Sequence, residues 1–457
     1  MTCIGTRFAA SLSETTLRYA MDDSLGICLL NDSFPPTVDG VANTVLNYAT
    51  VIDKKYGDAY VVVPKYPDAE DDYPFEVLRY RSFDIEKVKP YRVGYPLDSR
   101  PAKTLIKRDV DIIHTHCPIA SAMLGRSLKK QLNVPMVLTY HTKFDVDFRK
   151  VIKNKLFYET ALKVMIDNVN ACDDVWVVSK GAGDNLRSLG YKGEYTVMKN
   201  GVDFPKGRAD EGEVAAIRSK YSLHDDCLNL LFVGRMMWYK GLRIILDAVN
   251  MCKVSGVRVK ILFVGSGNDF DEVTAYASAL GLTPDDCVFV GAVHDRERLR
   301  AFYGACDLFV FPSSFDTNGL VVSEAAACYV PSVVLRGSCA AEEIHDGQNG
   351  FLCNENPASL YLTLSELYAK KEKIREVGRN AADSLYLSWD DAVATAVERY
   401  RLIKQCAESG EFPVKKTDFG GFYSIVSSMQ KNNRRMNEWR GKVNENYLRW
   451  FRAVTKR

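Results

Sequence analysis

The chain lacks any C-x-x-C pair among its twelve cysteines. They are scattered, several inside apolar runs such as "GICLL" and "DDCVFV". A zinc site needs clustered Cys/His ligands, so no metal site is expected. The same scatter suits small buried hydrophobes in a reducing compartment better than a disulfide framework. No apolar run approaches the roughly 18 residues of a bilayer span. The first residues, "MTCIGTRFAASLSETTLRYAMDDS", lack the long apolar core of a signal peptide. A cytoplasmic, non-spanning protein is expected. Charge bias is missing too: 60 Lys and Arg face 58 Asp and Glu, which gives no reason to expect a nucleic-acid partner. No internal repeat of solenoid length is visible.

What the chain does have is alternation. Short apolar, β-branched runs at 26–31, 59–64, 110–116, 135–141, 173–179 and 195–201 are separated by helical patterns. A second series lies at 228–234, 259–265, 287–291, 308–312 and 330–335. Continuous apolar strands between helices mean parallel sheets covered on both faces. At 457 residues the chain exceeds one typical core, and two series mean an α/β fold with two doubly wound, Rossmann-like domains. The expected division is 1–205, 206–387, a crossover helix at 388–410 packing back toward the N-terminal domain, and an extension at 411–457. Ligands of such sheets bind at the carboxyl ends of strands, and the cleft between two facing domains is the expected site.

Several groups stand at those carboxyl ends. Gly40 opens a helix after "NDSFPPTVD", where backbone N–H groups can approach an anion, although a glycine there serves turn geometry equally well. His141 ends the strand "PMVLTY" and can hydrogen-bond a hydroxyl or phosphate, or can be a satisfied structural histidine. Arg235 and Lys240 in "FVGRMMWYKG" suit a diphosphate as fork and point charge; either alone also reads as a solvated cation. "FVGSGND" carries Gly265 and Gly267 but lacks the spacing of a dinucleotide or Walker loop. In "DTNGLVVSE", Asp316 follows a strand and Glu324 comes eight residues later, early in the next helix. Each carboxylate can accept from two vicinal hydroxyls, with the loop N–H groups aimed at phosphates between them. For Glu324 alone, a dipole-favoured helix acid is the competing reading.

Together these pieces resemble the retaining glycosyltransferases of family four, which have the GT-B architecture, over roughly residues 26 to 400. The E-x7-E motif corresponds to "DTNGLVVSE", the Arg/Lys phosphate pair to "GRMMWYKG", and the domain joint to "KNGVD". The segment before and through the last catalytic strand corresponds to "GAVHDRERLRAFYGACDLFVFPS", and the dG-x-G segment to "EEIHDGQNGF". The resemblance implies a nucleoside diphosphate sugar donor, UDP-glucose by first choice, with no tightly bound cofactor; a need for Mg stays open. It implies that Arg235 and Lys240 bind the diphosphate and Glu324 the ribose. Asp316, with the backbone of Thr317, Asn318, Gly319, Leu320 and Val321, would hold the transferred sugar. Gly40 would lie near the phosphates, His141 at the reacting end of the sugar, and the base near Gly265, Gly267 and Val293. His141, Arg235, Lys240 and Asp316 are the catalytic candidates. The departure from the family pattern is Asp316, where glutamate is usual. Retention in the family proceeds by front-face attack assisted by the donor phosphate, so no protein nucleophile is assigned. GT-B enzymes do not rely on a D-x-D, so "FDVDF" (144–148) is given no metal.

The stretches "NDSFPPTVDGVANTV" and "VPMVLTYHTKFDVDFRKVI" look like the subgroup that glycosylates diacylglycerol or other lipids. The tail agrees: from Phe412 to Arg457 there are eleven Lys/Arg against three Asp/Glu. Trp439, Trp450 and Phe451 within it suit a basic amphipathic helix on an anionic membrane surface, at the inner face; a helix docked on the protein itself is the alternative. The expected activity is therefore hexosyl transfer to a lipid. A soluble acceptor, a nucleotide-sugar epimerase and a non-catalytic nucleotide-sugar binder are the competing readings.

Overall fold

A computed structural model describes residues 24–412 except Val38, Lys87, Val88, Pro90, residues 145–147, Lys150 and Val151. The chain forms two compact units. Among the described residues, one joins 24–199 with 389–412; the other runs from Asn200 to Ser388.

The first unit carries β1 (Leu25–Leu30), β2 (Gly57–Pro64), β3 (Glu76–Tyr80), a hairpin of β4 (Ser82–Asp84) and β5 (Arg92–Gly94), then β6 (Ile112–Thr115), β7 (Met136–Tyr140), β8 (Asp174–Val177) and β9 (Thr196–Val197). The sheet order is β3-β2-β1-β6-β7-β8-β9, all parallel, with β4 and β5 paired apart from it. Every residue of β1, β6, β7 and β8 is buried, as a sheet covered on both faces requires.

The second unit carries β10 (Leu228–Val233), β11 (Val259–Val264), β12 (Cys287–Gly291), β13 (Leu308–Phe311), β14 (Ser332–Leu335) and β15 (Phe351–Cys353). Their order is β12-β11-β10-β13-β14-β15, again parallel. Both sheets run outward from a central strand and then reverse, at β1/β6 and at β10/β13. Such a reversal opens a crevice beyond the carboxyl ends of the two central strands. The expected α/β class and doubly wound topology are present. Four strands were not foreseen: β3, β4, β5 and β15. The segment expected as a strand at 195–201 pairs only through Thr196 and Val197, because it is the sheet edge.

The helix Trp389–Glu408 belongs to the first unit. Trp389, Ala392, Val393, Ala396, Val397, Tyr400 and Ile403 are buried at helical spacing. It packs on the helix Gly40–Lys55, with Lys55 Nζ 2.9 Å from Asp390. Its Arg399 makes a two-pronged ion pair with Asp174, Nε to Oδ2 at 2.5 Å and Nη2 to Oδ1 at 3.0 Å, both side chains buried. The Trp176 indole donates to the same Oδ2 at 2.8 Å. Residues 200–205 pack with the second unit: Phe204 is buried there against Tyr303, and Val202 N donates to Leu387 O at 3.0 Å.

Removing one partner of a buried ion pair typically costs about 3–5 kcal/mol, because the other charge is stranded. Arg399→Ala is therefore expected to lower the urea midpoint of the first unit, followed by circular dichroism. A loss below about 1 kcal/mol, the worth of an exposed pair, would show that the fork contributes nothing special.

Candidate functional site

The second unit gathers its candidates at the β10/β13 reversal. Three loops are laced there by backbone hydrogen bonds: Gly234 N to Val264 O at 3.0 Å, Met236 N to Ser266 O at 3.0 Å, and Gly265 N to Gly291 O at 2.8 Å. Gly267 is forced by this closeness, since a Cβ on it would lie 2.4 Å from Met236 O. Arg235 rides on this platform with its side chain exposed. Gly265 and Val293 are partly buried, just past the ends of β11 and β12.

Lys240 follows in a 3-10 turn, Trp238–Lys240, that ends at Gly241. Gly241 has φ 81°, and a Cβ there would sit 2.0 Å from Pro312 O, so only glycine lets the loop after β10 approach the loop after β13. The contact delivers Lys240 Nζ to Asp316 Oδ2 at 2.8 Å. The other oxygen of Asp316 accepts from Asn318 N at 3.1 Å and from Gly319 N at 2.8 Å. Gly319, at φ 62°, then starts the helix Leu320–Ala327. Burial raises the cost of charge on Asp316, but Lys240 and the two backbone donors outweigh it and hold the carboxyl below its ordinary pKa. Around this turn the Ser313 hydroxyl and the Asn318 amide nitrogen are buried with no hydrogen-bond partner among the described residues. Buried polar groups without partners are uncommon and call for an explanation.

Glu324 sits in the second turn of that helix, and its partners lie on another helix, Arg296–Ala305. Arg296 Nη2 donates to Oε1 at 2.8 Å, and the Tyr303 hydroxyl donates to Oε2 at 3.1 Å. Burial pushes the Glu324 carboxyl above its ordinary pKa, with Arg296 and Tyr303 opposing it in part. Arg296 and Tyr303 were not foreseen. Seven residues apart on a helix, they share a face, which is the one signal the sequence carried. Thr317, Leu320 and Val321 line the turn between the two carboxylates in sequence, all partly buried.

In the first unit, His141 stands just past β7. Its Nε2 lies 3.0 Å from Nδ1 of His116, just past β6, with the rings stacked at 5.2 Å between centroids. His114, inside β6, touches the His116 ring at 4.0 Å and bonds Thr139 Oγ1 at 2.7 Å and the Tyr400 hydroxyl at 2.5 Å. His141 is thus the end of a buried row of three. Burial, reinforced by mutual repulsion at His114 and His116, lowers all three pKa values; that of His141 falls to about 3. Nε2 of His116 has no partner among the described residues. His116 was not foreseen, although the spacing H-x-H at a strand end places His114 and His116 on one face. Gly40 is exposed at the start of the helix Gly40–Lys55, but Asp39 already caps that helix, accepting from Val41 N and Ala42 N at 2.8 Å each. An anion at Gly40 would have to displace or share that carboxylate.

Trp439, Trp450 and Phe451, and the aspartates of "FDVDF", lie outside the described residues. Among the described residues no helix is long and apolar enough to cross a membrane, and no cluster of three His, Cys, Asp or Glu side chains is placed to hold a metal.

Two doubly wound units, each with a strand-order reversal, have the GT-B architecture. Residues 38–205 match the family model described as Glycosyltransferase Family 4, and residues 214–384 match that described as Glycosyl transferases group 1. The chain belongs to the family-four glycosyltransferases. Among curated proteins it is 24% identical to an alpha-monoglucosyldiacylglycerol synthase of Streptococcus pneumoniae, over 67% of this chain and 70% of that one. It is 29% identical to a D-inositol 3-phosphate glycosyltransferase of Catenulispora acidiphila, over 64% of this chain and 70% of that one. Among solved structures, Anabaena HepE in complex with UDP and glucose aligns with TM-score 0.62 and 20% identity, over 84% of this chain and 99% of that one.

The histidine row makes a prediction about acid. Each folded-state pKa lies below the unfolded value of about 6.5. The unfolded chain therefore takes up protons first, so stability is complete above that pH and is lost as pH falls toward the folded values, by up to roughly 1.4 kcal/mol per pH unit per histidine. The urea midpoint of the first unit is expected to be flat from pH 8 to 7 and to fall between 6.5 and 5.5. His114→Asn is expected to shallow that fall. A midpoint unchanged down to pH 5.5 would mean that the row is not held neutral.

Proposed function

We propose that the protein is a retaining hexosyltransferase that moves a sugar, glucose by first choice, from a nucleoside diphosphate sugar such as UDP-glucose to a lipid acceptor of the diacylglycerol type. The observation that carries the donor half is the turn Ser313–Gly319. It holds Lys240 through Asp316, starts a helix whose N-terminus has no side-chain cap, and carries two unpartnered polar groups, Ser313 Oγ and Asn318 Nδ2. Polar donors converging at such a reversal suit a phosphorylated sugar.

In this reading Arg235 and Lys240 take the diphosphate, and Lys240 exchanges its Asp316 partner for a phosphate oxygen or bridges both. The developing charge on the leaving diphosphate is then met by cations and N–H groups already in place. Glu324 accepts from the ribose, while Asp316, Asn318 and the backbone from Thr317 to Val321 face the transferred sugar. Asp316 spends both oxygens on three donors, which makes it a poor nucleophile. That supports retention through the donor phosphate rather than a covalent glycosyl-enzyme. Gly265, Gly267 and Val293 flank the base. His141, neutral and tied to His116, would hydrogen-bond the sugar at the reacting end, with Gly40 near the phosphates.

The lipid acceptor rests on the likeness to the monoglucosyldiacylglycerol synthase and on the basic tail with Trp439, Trp450 and Phe451. A second reading, a soluble inositol-phosphate type of acceptor, is favoured by the somewhat higher identity to the inositol 3-phosphate enzyme. Product mass spectrometry with UDP-glucose and a mixture of diacylglycerol and inositol phosphates separates the two. A glucosylated lipid supports the first; product only from the soluble acceptor overturns it. Deleting residues after Phe412 is expected to abolish sedimentation with anionic vesicles while leaving donor affinity intact. Full sedimentation of the truncated protein would remove the tail from the anchor.

Two substitutions test the site. Glu324→Ala is expected to cost about 2–5 kcal/mol in donor binding, and wild-type donor affinity in that variant would sink the ribose role. His141→Ala is expected to lower kcat more than it raises the donor KM, if its contact strengthens as the bond breaks. An unchanged kcat in a folded variant returns His141 to a structural place.

A further inference from the structure

We infer that Arg296 is a positioning residue that sets the Glu324 carboxylate for a vicinal diol, and so decides the preference for ribonucleotides over deoxyribonucleotides. The inference rests on the donor reading above. It starts from an energetic oddity. Glu324 is partly buried, its side chain 12% exposed, while the Arg296 side chain is 43% exposed. A half-exposed arginine adds little stability through an ion pair, and an acid in such a place is generally worse for stability than an apolar side chain of similar size. The pair therefore makes sense as a device that presents a carboxylate.

The geometry fits that use. Arg296 occupies Oε1 and Tyr303 occupies Oε2, one donor on each oxygen. Every carboxylate oxygen has two lone-pair sites, so each oxygen keeps one site for a further donor. Two hydroxyls on adjacent ribose carbons are a matching pair of donors, whereas a 2′-deoxyribose supplies one. Arg296 is itself held. Its guanidinium stacks over the Phe204 ring at 4.3 Å, and its Nη2 lies 3.5 Å from Asp203. Phe204 is buried against Tyr303. The short segment Asp203–Phe204 thus acts on the ribose site through the arginine it carries. Without Arg296, the carboxylate keeps Tyr303 alone, can rotate, and no longer faces the diol with both oxygens.

The test is calorimetric titration of UDP, ADP and GDP, each with its 2′-deoxy counterpart, into wild type, Arg296→Gln and Arg296→Lys, with circular dichroism as the check on folding. Wild type is expected to bind at least one ribonucleotide about tenfold or more tighter than its deoxy form, the scale of one buried hydrogen bond. In Arg296→Gln the ribonucleotide is expected to weaken to the level of the deoxy form, whose own affinity hardly moves. Arg296→Lys, which restores charge without the fork, is expected to recover part of the preference. A role confined to stability would weaken both nucleotides alike and leave their ratio unchanged, and that result overturns the inference. Full ribonucleotide preference in folded Arg296→Gln does the same. Wild type that binds none of the nucleotides overturns the donor reading as well as the role of Arg296.

Discussion

One carboxylate answering three donors organises the second unit's crevice. Asp316 accepts from Asn318 N and Gly319 N with one oxygen and from Lys240 with the other. The two backbone bonds bend the chain from β13 into the helix Leu320–Ala327, and the ion pair ties that turn to the loop after β10. The approach of the two loops needs the missing Cβ of Gly241. Phe311, the last residue of β13, adds an aromatic face 5.2 Å beneath the Lys240 ammonium. Aspartate suits this place because its short side chain reaches N–H groups two and three residues ahead, as an N-terminal cap does. A glutamate would have to fold back one methylene further to make the same bonds.

Both units keep paired charges, and the first adds a buried row of neutral rings. In the second, charges are kept and paired: Lys240 with Asp316, Arg296 with Glu324. In the first, the row His114, His116 and His141 is kept neutral by burial and linked by hydrogen bonds among the rings and to Thr139 and Tyr400. Tyr400 comes from the helix Trp389–Glu408, as does the Arg399 that neutralises Asp174. The row and the fork therefore depend on one helix.

The sheets were legible because their strands are continuous apolar runs between helices, a pattern that burial on both faces imposes. The strands that escaped notice lack that burial or that length. β3, "EVLRY", is an edge strand whose first four residues are only half buried, and β15 has three residues. Asp316 and Lys240 could be singled out because residues just past a strand must stand at the carboxyl edge. Arg296 and Tyr303 could not, since they reach Glu324 from 28 and 21 residues away in the chain through helix packing. His116 was hidden in the same way. Its link to His141 spans 25 residues and follows from the adjacency of β6 and β7, which no local pattern states.

The return of the chain at Trp389 has a consequence for synthesis. Val202 and Ser388 pair as a parallel bridge, so the chain enters and leaves the second unit side by side. That unit is an uninterrupted stretch and carries all its own strands. The first unit is split: Asp174 and His114 wait for Arg399 and Tyr400, more than two hundred residues later. On a ribosome releasing the chain from its N-terminus, domains form as soon as their parts have emerged. The second unit can thus close while the first still lacks the helix Trp389–Glu408, and the buried faces of β6 and β8 that Tyr400 and Arg399 cover stay open until that helix emerges.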